Sequence, residues 1–168
     1  MKRKMAAGSI ALVFVALSLV VASAAAKADF SGKWVMDKTK SEGVPPDMEQ
    51  TMTVTQTADK IELETKITGA QGERIVKDSY TLDGKEADFT PQTMQGGMGK
   101  GKRTARWTAD GAGLEVNETA TLEGPNGPDD VTATRKWTLA PDGKTLTIEM
   151  TFRGSEVSQQ TKRVFVKQ

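Results

Sequence analysis

The chain has 168 residues, with 23 Lys and Arg against 22 Asp and Glu, and it contains neither Cys nor His. That length suits one domain. The missing Cys excludes disulfides and thiol chemistry, and the missing His removes the commonest general base and any His or Cys metal site. The net charge of +1 becomes −2 without the three cations Lys2, Arg3 and Lys4, which leaves no footprint for nucleic acid or for an anionic membrane surface.

The first residues read as an export signal. Lys2, Arg3 and Lys4 form a basic start, Ile10 to Val21 is apolar except for Ser18, and small residues follow from Ala22 to Ala26. Residues 1–26 are therefore expected to be a signal peptide, with the mature chain starting between Ala25 and Asp29. The competing reading is an uncleaved anchor, but the strongly apolar part is short for a bilayer of ~30 Å. Cleavage after Ala26 removes three cations and leaves 20 basic residues against 22 acidic. Without a Cys there is no lipoprotein anchor. The expected location is the periplasm or the exterior of a bacterium, with no stable membrane anchor after cleavage.

Two-residue periodicity dominates the remainder, with no helix-period stripe. Strands are expected over 30–36, 49–56 and 60–67, the last alternating Ile61, Leu63 and Ile67 with Glu62, Glu64 and Lys66. The next is 73–82, turned by Asp83-Gly84 into 85–90; a type I′ turn there needs φ > 0 at both central residues. Residues 91–101 are a glycine-rich loop. Strands follow at 102–108 and 114–122 around Asp110-Gly111, then a loop over 123–129. The last strands are 130–139, 144–153 after Asp142-Gly143, and 158–167. Tyr80, Trp107 and Trp137 each precede a Thr, a small apolar residue and one of these reversals, a weak internal repeat. The expected class is all-β: an antiparallel meander of about 8–10 strands in residues 29–168. Closure into a barrel, apolar side inward, removes the exposed edges.

Phe30-Ser31-Gly32-Lys33-Trp34, with Ser41 and Gly43 following, resembles the opening of the calycins, the lipocalins and fatty-acid-binding proteins. The resemblance implies a lipocalin-like barrel in which Gly32 starts the first strand, Trp34 plugs one end and a late arginine, here Arg163 before Val164-Phe165, packs over that tryptophan. Two features of that group are missing: there is no room for two helices between Lys38 and Asp47, and no helix near the C-terminus.

Arg135 shares a face with Val131, Ala133, Trp137 and Leu139, so it is expected to be buried. It then either clamps a ligand carboxylate or pairs with an internal Asp or Glu. Arg163, Trp107 and Trp137 complete the expected ligand-contacting set, each with a packing role as its alternative. Lys100, Lys102, Arg103 and Arg106 read as a solvated basic face, and Glu62, Glu64, Glu115 and Glu118 as surface charges. Met94 to Lys102 reads as a lid or a solvent loop. No cofactor, metal site or catalytic set is expected. The functional expectation is a non-enzymatic exported binder of a small hydrophobic or amphipathic ligand, such as a fatty acid or lipid. The alternative is an envelope interaction protein whose core is filled.

Overall fold

A computed structural model describes residues 27–91, 99–124 and 127–168. The expected signal segment and the centre of the glycine-rich loop, with Met94 and Met98, lie outside the described residues. Among the described residues no helix is long and apolar enough to cross a membrane.

The ten strands are β1 Gly32–Met36, β2 Glu49–Gln56, β3 Lys60–Gly69, β4 Gly72–Thr81, β5 Ala87–Phe89, β6 Gly99–Trp107, β7 Gly113–Gly124, β8 Gly127–Leu139, β9 Thr145–Arg153 and β10 Ser158–Lys167. All pairings are antiparallel, and the spatial order is β4-β3-β2-β1-β10-β9-β8-β7-β6-β5. Chain start therefore pairs with chain end, Met36 opposite Phe165. The sheet curls into a nearly closed barrel whose ladder breaks once, between β4 and β5.

The alternation read from the sequence is realised strand by strand. Gln50, Met52 and Val54 on β2 are buried while Thr51, Thr53 and Thr55 are exposed. Several boundaries differ, and β6 starts at Gly99, inside the expected glycine-rich loop. The β7–β8 ladder runs on to Gly124 opposite Gly127, through what reads as a loop, because Leu122 opposite Asp129 continues the register. The fifth strand shortens to Ala87–Phe89.

The Asp-Gly reversals also differ from expectation. Gly84, Gly111 and Gly143 take φ of 72°, 69° and 68°, but no described non-glycine residue has positive φ, which excludes the two-residue type I′ turn. Instead each Asp side chain accepts a bond two residues on: Lys85 N–H to Asp83, Ala112 N–H to Asp110, Lys144 N–H to Asp142. The aspartate caps the turn and only the glycine bears the left-handed conformation.

These three turns lie at one end of the barrel, which explains the sequence repeat. The aromatics preceding them converge there on Phe30. Phe30 stacks on Trp107 at 5.9 Å and meets Trp137 edge-on at 5.5 Å, and Tyr80 meets Trp137 edge-on at 6.1 Å. Trp34 donates its indole N–H to the Phe30 carbonyl at 2.9 Å. With Ile61, Leu82, Leu114, Leu146 and Phe165 these side chains form a solid apolar plug.

Candidate functional site

Burial falls away from the plug along the inward faces. On β3 it passes from Ile61 and Leu63, buried, to Thr65 and Ile67, half-buried; on β9 from Leu146 and Ile148 to Met150 and Phe152. On β4 Tyr80 is buried, while Asp78, Val76 and Arg74 are partly open. The interior is thus a plug at one end and a water-accessible cup at the other. Pro45, Asp47, Met48, Ile67 and Arg74 line a recess of about 380 Å3 at the rim.

Between plug and cup lies a belt of charge. Arg103, 6% exposed, sends its guanidinium across the break in the ladder. It pairs with Asp78, donates to the Ser79 carbonyl at 3.0 Å, and contacts Glu118 at 3.0 Å on its other side. Glu118, 7% exposed, also pairs with Arg135. The Arg103 guanidinium lies 3.8 Å from the Phe89 ring centre and 5.0 Å from that of Tyr80. Opposite Phe89 stands Gly101, where a Cβ would collide with the Phe89 ring. The glycine opens the space in which ring and guanidinium stack.

Arg103 and Glu118 were both expected on the surface, and the structure corrects both. The signal was present in the register. Arg103 falls in step with Ala105 and Trp107, and Glu118 with Leu114 and Val116, so each belongs to the apolar face of its strand. Their charge, in a run of charged neighbours, masked that step.

Arg135 is placed as its face implies, and its partner is Glu118. Burial pulls its guanidinium down, but Tyr80, Glu118 and Asp78 outweigh burial and hold the cation in place. Burial pushes the Tyr80 phenol well above its usual range; its hydroxyl donates to Asp78 at 3.4 Å.

Arg163 differs from Arg103 and Arg135 in having no carboxylate partner among the described residues. It donates to the Gln50 side-chain carbonyl at 3.2 Å; its Nε, like that of Arg103, has no partner among the described residues. Burial pulls its guanidinium down, and repulsion from Arg135 and Arg74 pulls the same way. Thr161, two residues earlier on the same face, is buried with its hydroxyl unpartnered. The expected stacking of Arg163 on Trp34 is not what forms: Lys167, directly opposite Trp34, lies 5.3 Å from its ring. β10 meets β1 with Lys167 at the plug and Arg163 four residues deeper, level with Ile148.

Of the residues expected at a ligand site, Arg135 opposite Met150 and Arg163 opposite Ile148 flank β9 on its two sides, near enough for mutual repulsion. Trp107 and Trp137 lie in the plug, Trp137 almost completely buried. Among the described residues no group of three or more carboxylates is placed to hold a metal ion.

No protein-family model matches the chain, and no curated protein does. Among solved structures it is similar to the zebrafish ileal bile acid-binding protein complexed with cholic acid, at 17% identity and a TM-score of 0.49, over 83% of this chain and 98% of that one.

Proposed function

We propose that the protein is an exported, non-enzymatic carrier of a small amphipathic anion, held head-down in the cup. One observation carries this reading: the half-buried Arg163 has a neutral acceptor, two cationic neighbours and, among the described residues, no acid partner. Glu118 is shared between Arg103 and Arg135, and Asp78 is engaged by Arg103, so neither carboxylate is left to balance it. A buried cation without a counter-charge is costly. A ligand carboxylate, or another anionic head, removes that cost by accepting from Arg163 and Thr161 beside Arg135. Ile67, Val76, Met150 and Phe152 offer apolar contact to its body. A fatty acid has this chemistry. Export to the periplasm or exterior rests on the basic, apolar and small-residue succession of residues 1–26.

Calorimetric titration with laurate and with dodecanol tests the reading. The same alkyl chain with and without the charge should give binding for laurate and at least tenfold weaker binding for dodecanol. Equal affinity removes the role of Arg163.

A second reading, an envelope interaction protein with a filled core, draws on the solid packing of Phe30, Trp34 and Trp137. It predicts no binding of either compound.

A further inference from the structure

We infer that β4 is a dimerisation edge, on which a second copy of this chain adds its own β4 antiparallel about a two-fold axis through Ile75.

The direction of the backbone groups comes first. The Leu82 N–H points to Asp59 at the start of β3, whereas the Ser79 carbonyl points the other way, to Arg103 across the break. Alternation along the strand then aims the N–H and C=O of Glu73, Ile75 and Lys77 away from β3. Among the described residues these groups have no backbone partner. Arg103 closes the break at Asp78 and Ser79, so the stretch from Gly72 to Lys77 lies beyond that closure. Ile75, at its centre, is 56% exposed. A long edge strand with an exposed apolar centre is a template for pairing unless something covers it.

The side chains select the occupant. In an antiparallel pair centred on Ile75, each Ile75 faces its copy, Glu73 faces Lys77 of the second copy, and Lys77 faces its Glu73. All of these are seam-facing residues, so each pair exchanges both backbone bonds. The charges extend the match inward. Lys77 already sits opposite Glu64 at 3.2 Å, and Glu73 reaches Lys66 at 2.7 Å. The joined sheet therefore runs Glu64, Lys77, then Glu73 and Lys66 of the second copy, alternating in sign across the junction. Such a self-complementary patch is what a two-fold interface requires. The contact is one strand wide, so the dimer belongs among weak associations that dissociate on dilution.

Charge reversal on full-length protein provides the test. Lys77→Glu puts two acids opposite each other in every row, and Glu73→Lys puts two bases there. Sedimentation velocity should show the wild type shifting to dimer with concentration, and each variant alone associating at least tenfold more weakly. An equimolar mixture of K77E and E73K chains should recover association, because the rows then pair acid with base. A second measurement needs no variant: amide exchange at Glu73, Ile75 and Lys77 should slow as wild-type concentration rises. The inference is overturned by a wild type that stays monomeric to roughly 1 mM, by variants that associate as the wild type does, or by a mixture that does not recover. Exchange at these amides that does not change with concentration also overturns it.

Discussion

Arg103 on β6 and Asp78 on β4 join across the one break in the hydrogen-bonded ladder, so a buried ion pair does there what backbone bonds do elsewhere. The Arg103 side chain is 7% exposed and also faces Glu118. Removing one partner of a buried pair leaves the other charge uncompensated, at about 3–5 kcal/mol. Arg103→Ala should cost that much in denaturant unfolding, and should speed amide exchange in β5. Asp78 is 30% exposed, so solvent takes up part of the loss and Asp78→Asn should cost only about 1 kcal/mol. Equal costs would argue against the burial account.

Glu118→Gln removes the charge between Arg103 and Arg135 and leaves two cations facing each other inside the barrel. A loss of about 3 kcal/mol or more is expected. Glu64→Gln on the outer face should change stability by less than about 0.5 kcal/mol. Chemical denaturation of the two variants side by side gives the comparison.

Arg163 predicts the opposite pattern. Its burial is poorly compensated without a ligand, so Arg163→Met should leave the free protein as stable as before, or up to about 1 kcal/mol more stable. Laurate affinity should fall at least tenfold. A stability loss comparable to that of Arg103→Ala would identify Arg163 as a structural brace instead.

The chain has one tyrosine, so its ionisation reads cleanly in ultraviolet phenolate absorbance. Burial raises the Tyr80 phenol above its ordinary value. The stability this confers is fully present below about pH 10, and is lost as pH rises toward the folded-state value. The native protein should therefore show no phenolate at pH values where the denatured chain is already half ionised. At the acid end the sign reverses. Asp29 and Glu115 are held below their usual range, chiefly by hydrogen bonds from Ser31 and from Asn117 respectively. Their stabilisation is complete above roughly pH 5 and declines as pH falls below about 4. Thermal melts across both limits check the two signs.

The strands were legible because the pleat has period two and nearly every strand keeps one apolar face. Ile61 and Leu63, or Leu146 and Ile148, announce their side unaided. The turns were legible in place but not in type. Asp-Gly signals a reversal whether the aspartate enters the left-handed region or caps the turn from outside it, and the sequence does not distinguish the two. The plug was partly legible, since the repeated aromatic before each turn pointed to a shared role. The charged belt was legible only at Arg135, whose face and need of an internal acid showed in the sequence. Arg103 and Glu118 sit on apolar faces, but each is paired by a residue distant in sequence: Asp78 lies 25 positions from Arg103, and Arg135 lies 17 from Glu118. Only the register of β6, β7 and β8 brings them together. The same holds for Arg163, whose level in the barrel is set by how β10 meets β1.

Native mass spectrometry of the protein purified gently from its source cells, before and after organic extraction, tests the central claim most directly. A carried anion predicts an additional mass that extraction removes and laurate restores, and that the Arg163→Met variant lacks. A bare polypeptide mass, unchanged on incubation with laurate, would contradict it.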